Sequence, residues 1–520
     1  MLALLVAAAA LRFHDLPARV MHTDEAVHAV TVGRMLAGEA FRYDPKDFHG
    51  PVLHYATLPV AWLRGQRTFA DLDEWTLRGV PAAFGVLLVF LPFAFRRELG
   101  GLPGAVLAAW FTALCPMMVF FSGYYIMEML FVGFLGLFGL AAWRWAENGS
   151  RNWLLVAGVC LGVLHATKET FVLHVAAMAV AAILAGGRGS LRATPAFLKT
   201  HWKEMAGAVL VAFLVSAVLL THGFRNPGAV LDGLRTYLLY FQRADGSAAG
   251  HAQPWSFYFS TLFAWKPSSA GFLFSEIGLL ALGTYGGLRA FLGRHEDARS
   301  ARFQRITALY TLITVIVYSL IPYKTPWSFL GTVHGLAILS ATGLAAWAPR
   351  GPIPAAKRVA TWTGGILAAL ALAAWTTHAL ACTQRIRSSP ADPAQPYVYG
   401  HTSQGFLALV AKIDQLEACE GRLLELWVAE EENGWPMPWY RRHALGHNRY
   451  THDSLPFGTG NPDVAAVSRE WFGEAAQALM ATHRHQVFPL RPWIDLHVFF
   501  RNTLQGMPPD EPQQIRSRSP

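Results

Sequence analysis

The stretch LPGAVLAAWFTALCPMMVFF, residues 102–121, contains no charged side chain. About 20 consecutive apolar residues are enough for a helix to span a bilayer, so this stretch is predicted to be a transmembrane helix. The rest of the chain has the same character. Of its 520 residues, 53% are hydrophobic and 15% are charged, against about a quarter charged in soluble domains. The sequence therefore predicts a polytopic α-helical membrane protein.

Further apolar runs lie on both sides of this stretch. Residues 1–11 are interpreted as the first helix, with a short start. The other runs cover residues 80–95, 126–143, 153–164, 171–185, 205–220, 270–291, 306–321, 327–347 and 362–381. Together they predict about eleven transmembrane helices, and the shorter ones need tilt or flanking aromatic residues to span.

Basic residues indicate the orientation of these helices. Lys and Arg cluster in every second connection, which the positive-inside rule places in the cytoplasm. The clusters are Arg96/Arg97, Arg144/Arg151, Arg188/Arg192/Lys199/Lys203, Arg294/Arg299/Arg302/Arg305 and Arg350/Lys357/Arg358. The net charge of +9 is therefore attributed to topology and not to nucleic-acid binding. The alternate connections, including the first loop at residues 12–78, are then extracytoplasmic.

The chain changes character after Cys382. Charged residues become more frequent, no later run is long enough to span, and three prolines mark a linker. Residues 1–382 are predicted to form the transmembrane domain, residues 383–505 an extracytoplasmic soluble α/β domain, and residues 506–520 a disordered tail. Within the soluble domain, residues 397–418 are predicted to form a strand, a turn and a helix, while LLELWVAEE and HQVFPLRPWIDLHVFF are predicted strands.

Isolated charged residues occur at the predicted outer ends of the helices. A charge at bilayer depth is costly, so their repeated placement on one side predicts a shared polar cavity. They are Asp24, Glu25, Glu128, Lys168, Glu169, Arg225 and Lys324. As the alternative, Arg225 and Lys324 extend to lipid headgroups, and Lys168 and Glu169 form a solvated pair or have different partners.

The stretch MHTDEAVHAVTVGRM in the first loop places two acids next to each other. Thr23 is the predicted N-cap of a helix, which puts Asp24 and Glu25 in the first turn, where the helix dipole stabilises them. This structural role is the alternative to a catalytic one. Asp24 and His28 share a helix face and Glu25 does not, so the two acids are expected to have different roles. A metal site formed by His22, Asp24 and His28 is a further alternative, although the spacing matches no strong metal motif.

Five short motifs now stand in order: DEAVHA, YDPKDFHGPVLHY, YYIMEML, TKET and PYKTPW. They resemble the GT-C type integral-membrane glycosyltransferases, and among these the glycosyltransferase family 39, protein O-mannosyltransferase-like branch. WPMPWYRR and FPLRPWIDLHV are also similar to its flippase-activity-associated subgroup. The resemblance covers nearly the whole chain. It implies a hexosyl or pentosyl transferase of the inner cell membrane, with a polyprenyl-phosphate-linked sugar donor and a glycan, lipid or protein acceptor.

The resemblance also implies roles for individual residues. Asp24 matches the family's catalytic acid, with Glu25 and Glu128 as supporting acids. Many relatives have Asp preceded by Arg where this chain has Glu128 after Tyr124 and Tyr125, so the role of Glu128 stays open. The expected donor-phosphate ligands are Lys168, Arg225 and Lys324, and the expected substrate-binding residues are His28, His49, Tyr125, Tyr323 and Trp327.

The chemistry of sugar transfer independently fits these residue types. A carboxylate within hydrogen-bonding reach takes the proton of the acceptor hydroxyl, and fixed cations stabilise the departing phosphate. One-step displacement inverts the sugar's anomeric configuration. No cofactor is required, and a divalent metal is left open. The rival functions are a transporter or flippase-associated protein and a non-catalytic partner of a glycosylation system. The sequence has no internal repeat of the kind common in secondary transporters, which favours the enzyme.

Overall fold

The computed structural model describes residues 1–46, 49–242, 252–264, 266–267, 273–293, 295, 297–348, 358–431, 434–452 and 460–506. The chain divides into two compact units. The first comprises Met1–Leu16, Arg34–Arg67 and Leu72–Tyr399, and the second comprises Pro17–Gly33, Thr68–Asp71 and Gly400–Pro520. Arg294, Arg350 and Lys357 of the predicted cytoplasmic clusters lie outside the described residues, and so does the predicted tail beyond Gly506.

Helices dominate the chain up to residue 388. They are α1 (Leu2–Phe13), α2 (Thr23–Leu36), α3 (Val52–Leu63), α4 (Glu74–Ala94), α5 (Leu102–Leu114), α6 (Pro116–Ser122), α7 (Glu128–Asn148), α8 (Arg151–His165), α9 (Phe171–Ala185), α10 (Gly187–Leu220), α11 (Ala229–Gln242), α12 (Ile277–Leu292), α13 (Ala298–Leu320), α14 (Leu330–Ala345) and α15 (Arg358–Ser388). Two short strands, β1 (Lys266–Pro267) and β2 (Leu273–Phe274), pair antiparallel before α12.

Several of these helices are suited to cross a membrane. Within the described residues, six are long and apolar enough to span, and the bent pair α5–α6 makes a seventh if it counts as one span. Helices α3, α8, α9 and α12 are also apolar but shorter. The predicted polytopic helical fold is confirmed, while the number of eleven spans stays a prediction. Helix α3 was missed, because it lies in a segment whose neighbouring residues are polar.

The opening stretch is not one helix, as the sequence predicted, but two. Helices α5 and α6 meet at 59°. The break falls at Cys115, which has φ −54° and ψ 117° and precedes Pro116. Proline lacks an N–H group and disfavours helical geometry in the residue before it, so the backbone bonds of α5 end here.

Two buried side chains satisfy backbone groups at this break. The Arg12 guanidinium donates to the carbonyl oxygens of Thr112 and Ala113, both at 2.9 Å. On the other side, Glu276 Oε1 accepts from the Met117 N–H at 3.1 Å. The Arg12 cation at the end of α5 complements the dipole of that helix. Non-helical backbone inside a bundle is tolerated when protein groups satisfy it in this way.

The second unit contains a five-stranded mixed sheet. Its strands are β3 (Leu426–Ala429), β4 (Asn448–Thr451), β5 (Val464–Val467), β6 (His483–Arg491) and β7 (Ile494–Arg501), in the order β4-β3-β5-β7-β6. Strand β3 is parallel to β4 and β5, and β7 is antiparallel to β5 and β6. The helices here are α16 (Phe406–Glu420), α17 (Met437–Tyr440) and α18 (Phe472–Leu479).

This part of the chain confirms the predicted α/β class and corrects one detail. Helix α16, strand β3 and the hairpin β6–β7 occur where the sequence predicted them. The strand predicted at the start of residues 397–418 is wrong, because these residues form turns. Tyr397 is fully buried there, and its hydroxyl donates to Glu276 Oε1 at 2.8 Å.

Candidate active site

Helix α2 carries the predicted catalytic acid in its first turn. The helix begins at Thr23, so the N-cap is His22 and not Thr23 as predicted. His22 Nδ1 accepts from the Asp24 N–H at 3.1 Å, and Glu25 Oε2 accepts from the His22 N–H at 3.0 Å. This is the reciprocal arrangement of a capping box, with an imidazole in place of the usual hydroxyl. The first turn is thereby fixed from both sides.

Asp24 and Glu25 have opposite environments although they are adjacent. The Glu25 side chain is completely buried, and its Oε1 lies 3.6 Å from Arg19 Nη2. The Asp24 side chain is 42% exposed, and its Oδ2 lies 3.7 Å from His22 Nδ1. His28, one turn later, is half-buried and shares the Asp24 face by helical spacing. Asp24 is therefore the acid of the two that is open to a substrate.

Glu128 and Lys168, both in the first unit, form a buried ion pair. Glu128 is the first residue of α7, where the helix dipole favours an acid, and Lys168 lies in the loop between α8 and α9. The Lys168 ammonium is 2.5 Å from Glu128 Oε1, and the side chains are 5% and 3% exposed. The structure thus joins a predicted supporting acid to a predicted phosphate ligand.

Glu169 has different partners from its neighbour Lys168. Its Oε1 accepts from the His49 N–H at 2.7 Å and the Tyr43 hydroxyl at 3.1 Å, while Oε2 lies 3.2 Å from His49 Nδ1. Burial pushes the pKa of Glu169 upward, but the hydrogen bonds and charge of His49 outweigh it and hold the pKa at about 2. The Glu169 carboxylate therefore orients the His49 ring.

The loop that presents His49 is tightly constrained. His49 has φ +70°, a left-handed conformation that is costly for a residue with a side chain. The next residue, Gly50, lies so close to the chain that a Cβ atom would be 1.9 Å from the Ala166 carbonyl oxygen. Its N–H donates to the Thr167 carbonyl at 3.3 Å. The predicted substrate residue His49 is thus held against the loop that carries Lys168.

The two remaining predicted phosphate ligands differ in accessibility. Lys324 is buried, and its ammonium donates to the carbonyl oxygens of Gln253, at 3.1 Å, and Ile321. Arg225 is exposed and has no hydrogen bond or ion pair within the described part of the chain. It follows a turn in which His222 and Phe224 have φ +51° and +67°. Arg225 is therefore free to bind an anion, whereas Lys324 is engaged by backbone.

The predicted aromatic substrate residues lie in packed surroundings. Tyr125 is fully buried, and its hydroxyl is 2.7 Å from Thr57 Oγ1. Tyr323 forms a bridge with Ala252, and Trp327, half-buried, meets Tyr399 edge-on with ring centroids 5.8 Å apart. Trp327 and Tyr323 are partly exposed, whereas Tyr125 is buried and its hydroxyl is bound to Thr57.

Tyr43 is a site residue that the sequence interpretation missed. Besides Glu169, its hydroxyl contacts Thr236 Oγ1 at 2.7 Å, which links the first loop to α11. The motif YDPKDFHGPVLHY contained Tyr43 and His49 together, so their shared motif was the available signal. Nothing in the sequence paired either of them with Glu169.

One group of side chains has ligand atoms close enough together for a metal site. Asp414 and Glu417 of α16 and His443 have ligand atoms within 4.8 Å of one another. The buried Arg441 guanidinium, however, donates to Glu417 Oε1 at 2.6 Å, and the Leu424 N–H donates to the same oxygen. A fixed cation on the central carboxylate opposes binding of a second cation, so this group fits a divalent metal poorly.

The same overall fold occurs in solved membrane proteins. ArnT from Cupriavidus metallidurans, solved with undecaprenyl phosphate bound, superposes with a TM-score of 0.62 and 14% identity, covering 98% of this chain and 99% of that one. The archaeal oligosaccharyltransferase AglB from Archaeoglobus fulgidus, in complex with an inhibitory peptide and a dolichol-phosphate, gives a TM-score of 0.53 and 16% identity, covering 90% of this chain and 69% of that one. The same enzyme solved with Zn and sulfate gives a TM-score of 0.52 and 14% identity, covering 94% of this chain and 72% of that one.

The level of similarity limits what these matches show. No protein-family model and no curated protein sequence matches the chain. At 14–16% identity the solved structures establish the fold and not the activity. The narrower resemblance to the family 39 branch stays a prediction. The GT-C fold predicted from the sequence is confirmed, and this polytopic membrane protein has it over almost its whole length.

Proposed function

We propose that the protein is a glycosyltransferase that moves a sugar from a polyprenyl-phosphate donor to an acceptor hydroxyl on the extracytoplasmic face of the inner cell membrane. The observation that carries this proposal is the fold shared with ArnT over 98% of the chain, because ArnT was solved with undecaprenyl phosphate bound. AglB, with the same fold, was solved with dolichol-phosphate and a peptide. Both ligands are polyprenyl phosphates.

Asp24 is the proposed base. A base must reach the acceptor hydroxyl and accept its proton as the bond from the sugar C1 to the acceptor oxygen forms. Asp24 has the accessible carboxylate, with His28 on the same face to contact the acceptor. Glu25 is buried under Arg19 and bound to the helix cap, so its support consists in fixing the first turn. Attack in a single step opposite the phosphate inverts the sugar configuration.

The donor phosphate leaves as an anion and needs positive charge. Arg225 is accessible for this role, and the strained turn before it holds it at the end of α10. Lys168 and Lys324 are the further proposed ligands, and each would exchange a protein oxygen for a phosphate oxygen. Glu128 orients Lys168 until that exchange. Substrate contacts are proposed for His49, oriented by Glu169, and for Tyr323 and Trp327, which are partly exposed. For the buried Tyr125, a supporting role through its hydrogen bond to Thr57 is proposed.

No step in this mechanism passes through a metal. The acceptor proton goes to a carboxylate, and the leaving phosphate is stabilised by side-chain cations. A divalent metal is the alternative means of stabilising the phosphate. AglB has been solved with Zn, which keeps this alternative relevant to the fold. The two are separated by measuring transfer after chelation with EDTA, which leaves activity unchanged if side chains alone stabilise the phosphate.

A reconstituted transfer assay tests the proposal. The purified protein in liposomes is given undecaprenyl- and dolichol-phosphate-linked sugars and a panel of glycan, lipid and peptide acceptors. Asp24→Asn is expected to reduce transfer by at least about 100-fold, since general-base catalysis contributes about that much. Asp44→Asn, an exposed acid whose carboxylate accepts only from the nearby Lys46 N–H among described contacts, is the matched control.

The outcomes separate the rival functions. Full transfer by Asp24→Asn with the fold retained removes Asp24 as the base while leaving the enzyme. Absence of turnover by the wild-type protein with every donor argues for the transporter or for the non-catalytic partner. Movement of a fluorescent lipid-linked sugar across the liposome bilayer then distinguishes these two.

A further inference from the structure

The segment that carries Asp24 belongs to the same compact unit as the C-terminal sheet. Residues 17–33 cluster with residues 400–520, although more than 360 residues separate them in the chain. Val20 is 2% exposed and packs in the hydrophobic cluster that contains Phe406, Leu490 and Val498. The backbone leading into α2 is therefore anchored in the core of the C-terminal unit.

Polar contacts fix this backbone immediately before the helix. The Met21 N–H donates to the Tyr440 hydroxyl at 2.9 Å, and the Met21 carbonyl accepts from Thr402 Oγ1 at 2.8 Å. The ring of His22, the helix cap, lies 4.8 Å from that of His401. Both backbone groups of one residue are thus held by side chains from the C-terminal unit, which sets the direction in which α2 starts.

Arg491 extends this anchoring to the first helical residue. It ends β6, and its Nη2 donates to Thr23 Oγ1 at 3.2 Å and to the Trp435 carbonyl at 3.0 Å. Its Nη1 lies 3.7 Å from Glu430 Oε1, and the two side chains are 6% and 2% exposed. Arg491 therefore joins three C-terminal segments to the residue next to Asp24.

The charge of Arg491 is informative because of where it lies. A cation beside a helix N-terminus is opposed by the helix dipole, which favours anions there. A neutral donor would bond Thr23 without that opposition. The planar guanidinium, however, can bond Thr23 and Trp435 while facing Glu430, which no single-donor side chain can do. The Arg491 cation therefore interacts unfavourably with the dipole of α2, but its several bonds link the sheet rigidly to the start of that helix.

We propose that Arg491 is a positioning residue that aims Asp24, acting through Thr23 and the first turn of α2. This inference rests on the proposed function, in which Asp24 is the base. By it, the C-terminal unit contributes to the reaction by holding the base in one orientation. Arg491 itself touches no reacting atom.

The test uses the full-length protein and two kinds of variant. Arg491→Met removes the link, and Thr23→Val removes only the hydroxyl that accepts from Arg491. Arg501→Met is the matched control, because Arg501 lies at the opposite end of the same hairpin and pairs with the buried Asp463 at 3.0 Å. In the described chain Arg501 has no hydrogen bond or ion pair with residues 17–33.

The first readout is independent of activity. Hydrogen exchange of the amides of residues 24–28 is expected to rise at least about fivefold in Arg491→Met and Thr23→Val, because the first turn opens more often. Thr23→Ser, which keeps the hydroxyl, restores the wild-type exchange rate. Arg501→Met leaves these amides unchanged. Unchanged exchange in both Arg491→Met and Thr23→Val, or an equal rise in Arg501→Met, overturns the proposal.

The second readout measures transfer. Arg491→Met is expected to lower kcat about 10-fold with little change in the KM for the donor, as a misaimed base does. In the Asp24→Asn background the same change should have no further effect. An undiminished loss in that background shows a merely structural role and overturns the proposal. Wild-type activity in Asp24→Asn refutes the proposed base instead, and the exchange result then still decides whether Arg491 orders α2.

Discussion

The two ends of α7 each bear a buried acid cluster, but the clusters are built differently. At the end of α7, Glu98 Oε1 accepts from Trp143 Nε1 at 2.8 Å, Arg144 Nη1 at 3.1 Å and Arg299 Nε at 2.9 Å. About 24 Å away along the helix, Glu128 Oε1 accepts from Lys168 Nζ and from no other side chain among the described residues. Three residues donate to the Glu98 Oε1 atom, whereas Glu128 Oε1 has a single exchangeable partner.

The surroundings of the two clusters differ in the same sense. Burial raises the pKa of Glu98, but its bonds to Trp143 and Arg299 and the charge of Arg144 bring the net pKa below its usual value. The Arg144 and Arg299 side chains are 21% and 33% exposed, so water partly solvates their charges. The Glu128–Lys168 pair is almost completely buried. It lies beside the loop that packs against Gly50, next to His49 with its left-handed backbone. Backbone strain clusters at binding sites, so the Glu128 end is expected to serve function and the Glu98 end to be structural.

The largest effect is expected from breaking the Glu128–Lys168 pair. Lys168→Met leaves Glu128 buried without its counter-ion and should lower the free energy of unfolding by about 3 kcal/mol. Replacing both residues by methionine removes both charges and should recover most of that stability, since apolar side chains of similar volume are tolerated in place of a buried pair. Transfer should stay lost in the double variant.

Thermal unfolding in detergent and the liposome assay measure the two properties separately. Recovery of transfer together with stability would show that the pair is structural, like the cluster at the other end of α7. Loss of stability in the double variant equal to that of Lys168→Met would contradict the assignment of the cost to an unpaired charge.

The contrast between the ends was only half visible in the sequence. Glu128 was singled out because an acid beside Met127 and Met129 interrupts an apolar run, which is a local signal. Glu98 gave none, since it follows Arg96 and Arg97 in a segment that looked like an ordinary basic loop. Its partners Arg144 and Arg299 were assigned to other loops, and only the helix packing brings them together.

The same distinction explains which parts of the fold were predictable. Apolar length identified most helices, and Pro116 was present in the opening stretch as a sign of its break. What the sequence did not contain was the means of satisfying that break, because Arg12 and Glu276 are each more than 100 residues from it. The predicted cap of α2 was wrong for a related reason. Propensity favours Thr23 as the N-cap, but the Thr23 hydroxyl accepts from Arg491, and His22 caps the helix instead.

A smaller effect on stability is expected at the Glu98 end of α7. Glu98→Gln keeps an acceptor for Trp143 but removes the charge shared by Arg144 and Arg299, which retain Glu147 as a partner. The free energy of unfolding should fall by about 2 kcal/mol, because the arginines are partly hydrated. Transfer per folded molecule should stay within about twofold of wild type. A loss of transfer without loss of stability would place this end in the mechanism and remove the contrast.

The smallest effect concerns backbone strain in the turn that precedes Arg225. Phe224 has φ +67° and is 60% exposed, so its side chain has little packing to lose. Phe224→Gly should remove the steric cost of the left-handed conformation and raise the free energy of unfolding by about 1 kcal/mol relative to Phe224→Ala, which keeps the Cβ atom. Part of this gain is offset by the greater freedom of glycine in the unfolded chain. If the turn positions Arg225 to bind the donor phosphate, Phe224→Gly should also raise the KM for the donor, because a more flexible turn allows the guanidinium more conformations. An unchanged KM with increased stability would mean that the strain belongs to the end of α10 alone and does not serve the donor.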